Sequence, residues 1–285
     1  MLILLRINVD MNNLERLMRK SSLLVDEINK KHDLVIYSAC FGNIDDVSNF
    51  VKCNESLVEF ADFVLFTDLD VAIDSKINII RTPNNLNSSR MTAKSFKVLP
   101  HRLFREYSLS LWIDTNMTIS RSSIEEIWEL EGHLMTTFKH NKRDYVFQEA
   151  IECVIRGKDS LINITGLMKY FYKEKYCKQT PLRQCRWLLR KHNDKKIVLL
   201  MESWWELIQK YSIRDQLSLP FCIWKGHVKI NILNPDKADF YFNVNEHLTL
   251  LSRGNGATAL FISFIWKILS VVKLQLFRQE KKVKK

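Results

Sequence analysis

Four short apolar runs, DLVIYSACFG (33–42), FADFVLFTD (60–68), KINIIRTP (76–83) and SLWIDTNMTI (110–119), recur along the first part of the chain. Each is rich in β-branched and aromatic residues and is closed by a turn former or a carboxylate, the pattern of a buried strand feeding a loop. Between the third and the fourth, SSRMTAKSFKVLPHRLF reads as a helix with Ser88 or Ser89 as its cap. Strands alternating with helices over this length predict an α/β fold with a mostly parallel, doubly wound sheet. Ligands of such sheets sit at the carboxyl ends of the strands, where Asp68 and Asp114 both fall.

The rest of the chain extends this pattern. Residues 11–31 show helical spacing of Leu14, Leu17, Met18 and Leu24, so residues 1–32 read as an N-terminal helical extension. SSIEEIWELEG is a short helix stopped by Gly132, HLMTTFKH a further strand, and HNKRDYVFQEAIECVIRG a helix closed by Gly157. KIVLLMESWWELIQKYS reads as an apolar strand followed by a helix with a capping box from Ser203 to Glu206. HVKINIL follows, and 234–256 reads mostly as loop. At 285 residues the chain is long enough for one catalytic-sized domain, set at 33–256.

The formal charge of +11 is unevenly spread: from Lys267 onward seven Lys and Arg face one acid, Glu280. The remainder is only mildly basic and lacks aromatic-basic interleaving, so no nucleic-acid partner is expected. Six scattered cysteines without C-x-x-C spacing argue for reduced thiols and against a zinc centre. The apolar start MLILL is interrupted by Arg6 and too short for a secretion signal. Residues 257–285 form one amphipathic, basic segment in which Ser263, Lys267, Ser270 and Lys273 make a narrow polar stripe. A lysine at mid-span costs roughly 3 kcal/mol in a bilayer. The segment therefore reads as a helix lying on an anionic membrane surface, placing the protein in the cytoplasm at the inner face; the alternative is a helix packed on the domain's own core.

D-x-N at Asp114 and Asn116 places two oxygens on one face of a strand end, one way to hold Mg²⁺ or Mn²⁺. Alone it equally describes a solvated turn. Taken in order, however, VIYSACFGNIDD, FTD, RMTAKSFKVLPHRLFREYSLSLWIDTNMTI, KHNKRDYVFQEA and SWWELIQKYSIRDQLSLPF resemble a glycosyltransferase-like family of the TOD1/MUCI70 type, found in bacterial polysaccharide loci and in plant mucilage and pectin enzymes.

The resemblance spans about residues 33–225 and implies a GT-A-like nucleotide-binding sandwich. It implies that Asp114 and Asn116 hold the metal of a nucleotide-sugar diphosphate, with Thr115 where the family has a small Gly. Tyr37, Ser38, Ala39 and Cys40 of the first strand would border the nucleoside, and Asp68 at the end of the second run is a further donor-binding candidate. Arg90 and Lys94 match the family's R-x-x-x-K helix and would hold donor phosphates. His140, Arg143 and Glu149 match its H-x-x-R…E segment, with His140 as an acceptor or donor contact or third metal ligand. Arg214, Asp215 and Gln216 match its S-R-D-Q, and Asp215 would be the catalytic carboxylate: a general base if the anomeric centre inverts, a sugar or transition-state contact if it is retained. Alternatively, Asp215 only caps a helix. One of Trp204 and Trp205 could stack on a sugar.

These matches imply a metal-assisted glycosyltransferase moving a sugar from a nucleotide donor to a hydroxyl of a polysaccharide or lipid-linked saccharide. Two alternatives are a sugar nucleotidyltransferase, disfavoured by the lack of a Gly-rich loop after the first strand, and a carbohydrate- or membrane-surface-binding protein without turnover.

Overall fold

A computed structural model of the protein describes residues 10–71, 73–176 and 180–245, so the segment 257–285 and its expected membrane helix lie outside the described residues. Among the described residues nine strands follow one another: β1 (Leu34–Cys40), β2 (Asp62–Thr67), β3 (Asn78–Arg81), β4 (Leu109–Ile113), β5 (Met117–Ile119), β6 (Met135–Phe138), β7 (Trp187–Arg190), β8 (Asn231–Leu233) and β9 (Phe242–Val244). Among the described residues nine α-helices are interspersed: α1 (Met11–Asp26), α2 (Ile44–Asn54), α3 (Ser89–Val98), α4 (Ile124–Glu129), α5 (Val146–Ile155), α6 (Leu161–Lys173), α7 (Lys195–Lys210), α8 (Asp215–Lys225) and α9 (Ala238–Tyr241).

Seven strands form one sheet in the order β3-β2-β1-β4-β7-β6-β8, while β5 and β9 pair antiparallel in a small second sheet. Every residue of β1, β2 and β4 is buried, as the unbroken apolar runs require. Successive residues of β1 alternate between two cores: Val35, Tyr37 and Ala39 join α1, α3 and α5 to α8 on one face, and Leu34, Ile36 and Cys40 join α2, α4 and the small sheet on the other. The first four strands in this order are parallel. β7 is antiparallel to both β4 and β6, so its beginning lies beside the end of β4.

The expected mixed α/β architecture with a mostly parallel central sheet is therefore present, with differences in detail. KIVLL is not a strand. Residues 195–210 are one helix, opened not by Ser203 but by Asp194, whose carboxylate accepts from the N–H groups of Lys196 and Ile197 at 2.8 and 3.3 Å. Ile197, Leu200, Met201, Trp204 and Ile208 recur at three- and four-residue steps, so the helical period runs straight through the apolar stretch. β7 escapes a reading by periodicity because only four residues separate its flanking charges. The stretch 234–256, read as loop, holds α9 and β9 in its described part. α1 lays Leu14, Leu17, Met18 and Val25 into the same core as the central sheet.

Candidate active site

The carboxyl edge of the sheet is organised by α3. Ser88 caps it by accepting from the N–H of Met91 at 3.1 Å. Arg90 projects from its first turn into solvent. One and two turns later, Lys94 and Lys97 reach toward the strand ends on the same side, as a spacing of three dictates. Lys97, 3% exposed, sits between two carboxylates: its Nζ is 2.7 Å from Asp215 Oδ2 and 3.5 Å from Asp114 Oδ1. It also lies 5.5 Å above the ring of Trp112, whose Nε1 donates to Asp114 Oδ1 at 2.9 Å. Lys94 makes a second bond to Asp215 Oδ2 at 2.5 Å. Asp114 itself, just past β4, is 35% exposed, and its other oxygen is 3.8 Å from Arg186 Nε. Arg186 arrives there because β7 runs backwards: the N–H of Asp114 donates to the carbonyl of Arg186 at 3.0 Å.

A buried clamp holds the end of α3. Arg190 of β7 donates from Nη1 to the carbonyl of Lys97 at 2.8 Å and from Nη2 to the hydroxyl of Tyr37 at 2.6 Å. That hydroxyl donates in turn to the Lys97 carbonyl at 3.3 Å. Arg190 is fully buried, with the carbonyl end of a helix as its anionic surroundings. The tyrosine hydroxyl is pushed up to about 12, by burial against the opposing pull of Arg190.

Protonation follows from who faces whom. Burial alone would raise the Asp215 carboxyl, but Lys94, Lys97 and Arg214 outweigh it and hold the group far below the usual range. Burial would lower Lys97, yet Asp114 and Asp215 overcome it and keep the ammonium charged. For Lys94 burial is the largest influence and, with Lys97 and Arg214 as like charges, prevails over Asp215 and Asp114 and brings the group down to about 8.

Other residues expected at the site occupy different settings. Tyr37 and Ser38 are sealed in the core, Ser38 donating to the carbonyl of Ile113 at 2.7 Å, so they support the site from beneath and do not border a nucleoside; Ala39 is also buried. Asp68 braces the turn after β1: it accepts from the N–H of Gly42 at 2.9 Å and from Asn84 Nδ2 at 3.2 Å. Gly42 has φ of +82°, a backbone state that any side chain would strain. Gln216 donates its N–H to Asp215 Oδ1 at 3.0 Å and its amide to the carbonyl of Arg183 at 2.9 Å. Asp215 thus does take a capping-type bond in addition to its ion pairs.

His140, Arg143 and Glu149 are drawn together, but not into an open acid-base set. Glu149 is fully buried and paired with Arg143, while Cys153 donates to it at 3.3 Å. His140 Nδ1 accepts from the N–H groups of Lys142 and Arg143 at 3.1 and 3.0 Å, which leaves the ring proton on Nε2. Burial and then Arg143 lower its pKa, keeping it neutral. A ring with one nitrogen accepting and the other protonated has no lone pair for a metal, so His140 is a turn-forming residue here. Trp204 and Trp205 are both buried, Trp204 donating to the carbonyl of Asp215 at 3.0 Å; neither offers a face to a sugar.

The metal pair is the remaining test. Among the described residues no group of three or more His, Cys, Asp or Glu side chains is placed to hold an ion. Asn116 is neutral, and both oxygens of Asp114 already face cations. These residues fit a divalent ion poorly. What reading the chain missed is the other half of the cluster: Lys97, Arg186 and Arg190. The available signal for Lys97 was a lysine between Phe96 and Val98, three residues after Lys94, where an amphipathic helix places core.

Comparison with protein families matches residues 20–247 to the TOD1/MUCI70, glycosyltransferase-like domain. The chain belongs to the TOD1/MUCI70 family. No curated protein matches it. The TOD1/MUCI70 span runs from the second half of α1 past β9 and includes every residue of the ion cluster, so the family expected from the ordered stretches and the family found are the same, and a general glycosyltransferase role goes with it.

Proposed function

We propose that this TOD1/MUCI70-family protein transfers a sugar from a nucleotide-sugar donor to a hydroxyl of a polysaccharide or lipid-linked saccharide. One observation carries the reading: partly exposed Asp114 stands at the carboxyl edge of an α/β sheet among Lys94, Lys97 and Arg186, with Arg214 acting on the same Asp215. In the transfer the bond from the anomeric carbon to the phosphate oxygen breaks, its electron pair leaving with the diphosphate. The acceptor oxygen bonds to that carbon and passes its proton to an oxygen of the departing diphosphate. Charge develops on the departing diphosphate, and fixed cations aimed at that point stabilise it without reorganising. Arg90 at the exposed start of α3 is placed to meet the donor first. Asp114 keeps Lys97 and Arg186 oriented and can accept from a sugar hydroxyl. Asp215, a very weak base enclosed by ammonium groups, positions Lys94 and Lys97 and is not assigned the acceptor's proton.

A second reading, sugar binding without turnover, is favoured by the enclosure of both Asp215 and Glu149 in ion pairs. The two separate when the protein is incubated with UDP-, GDP- and dTDP-sugars and a saccharide acceptor and free nucleotide is measured. Release from one donor, lowered about a hundredfold in Asp114→Ala as its cations lose their alignment, supports the transferase. Donor binding with no release supports the second reading.

A further inference from the structure

We infer that the donor diphosphate is neutralised by this chain's own cations and not by a divalent metal ion. The inference rests on the transferase reading and specifies how its donor is held. Charge is the first ground. Lys94, Lys97 and Arg186 contact two carboxylates, Asp114 and Asp215, leaving one positive charge over among the contacting groups, and Arg214, which Asp215 shares with Glu149, adds to that excess. A site that holds Mg²⁺ or Mn²⁺ before the donor arrives needs the opposite balance, anionic oxygens in excess of cations.

The second ground is where those charges sit. An ion bound to Asp114 would share it with the ammonium of Lys97, which is buried and anchored at 2.7 Å to Asp215 as well, so it cannot swing into solvent to relieve the repulsion. Arg190 and Tyr37 fix the backbone carbonyl of Lys97 from below and close off a shift of α3. His140 supplies no lone pair in compensation, because it uses its free nitrogen on its own turn. By contrast a diphosphate suits what is there. It brings negative charge and several acceptor oxygens, and Arg186, 39% exposed, offers a guanidinium charge at the rim while Lys94 and Lys97 lie behind it.

Isothermal titration of the full chain with UDP, GDP, dTDP and inorganic pyrophosphate, once in EDTA and once in Mn²⁺, tests this. The expected result is that at least one nucleoside diphosphate binds in EDTA and gains nothing from Mn²⁺, and that Arg186→Gln weakens that binding about tenfold. Arg186 is partly exposed; Lys97→Met should weaken binding further, and the folding of both variants is checked by circular dichroism. Binding that appears only with Mn²⁺ overturns the inference and leaves the transferase reading standing. Unchanged affinity in both variants in EDTA also overturns it. No binding of any probe in either condition removes the transferase reading and the inference together.

Discussion

Lys94 and Lys97 stand one helical turn apart and bond the same oxygen of Asp215, yet they titrate in opposite directions. The difference lies in what each faces. Lys97 is held by two carboxylates, whereas Lys94 bonds only Asp215, feels Asp114 more weakly and meets Lys97 and Arg214 as like charges. With its pKa brought down to about 8, Lys94 loses its proton within an accessible range. Diphosphate affinity should therefore fall as pH rises through about 8, and Lys94→Met should bind more weakly at pH 7 and show no such step. Titration calorimetry of both proteins between pH 7 and 9 reads the difference. The effect on stability has the other sign. Between about 8 and the ordinary lysine value of 10.5 the unfolded chain holds a proton the folded one has shed, so this group makes folding more favourable as pH rises. Affinity and stability moving together would refute the assignment. Residues of this kind differ in legibility. Lys94, Asp114 and Asp215 were readable because their types and spacing match a known pattern. Lys97 was not, because nothing local distinguishes a buried lysine with two long-range partners from a solvated one. His140 and Glu149 were legible as a set brought together, but their use as turn and core ion pair depends on backbone donors and on Arg143.

At the scale of elements, the site depends on three that meet at one carbonyl: the last turn of α3, the middle of β1 and the end of β7. Tyr37 was expected to border a ligand, but both of its hydroxyl bonds point inward and lock α3 to the sheet. Tyr37→Phe keeps the ring and removes the hydroxyl, leaving a guanidinium donor of Arg190 without an acceptor. Urea unfolding should show a loss of about 1–3 kcal/mol. A change near zero would mean that the clamp contributes nothing. The elements themselves were largely visible in the chain: the long apolar runs became β1, β2 and β4, and Ser88 opens α3 as its position suggests. What failed were short or ambiguous stretches. After its lysine KIVLL is unbroken apolar, so neither a period of two nor of 3.6 shows within it, and Asp194 decided for helix. β7 is four residues between charges, and its two arginine neighbours, Arg186 before it and Arg190 at its end, are the functional content that its brevity hid.

The whole molecule poses a question of where its folding unit begins. The family match starts at residue 20, inside α1, yet Leu14, Leu17 and Met18 upstream of that point are buried in the same cluster as β1, α3 and α7. Sequence spacing had marked this helix as amphipathic without saying what its apolar face would meet, since a helix covering a sheet and one resting on another partner have the same period. In the fold that face covers one side of the sheet that carries the ion cluster. A side chain so placed is removed only with its transfer free energy and the cavity it leaves, so Leu17→Ala should lower stability by about 2–5 kcal/mol. Glu15→Ala, on the exposed side of the same helix, should change it by no more than about 0.5 kcal/mol. Both are read by urea unfolding of the full chain. If the leucine variant unfolds like the glutamate one, α1 is a passenger and the unit begins downstream of it. If it is destabilised as expected, the scaffold that fixes Lys97 and Asp114 extends upstream of the matched span, and a protein cut at residue 20 would carry the right residues on a weakened sheet.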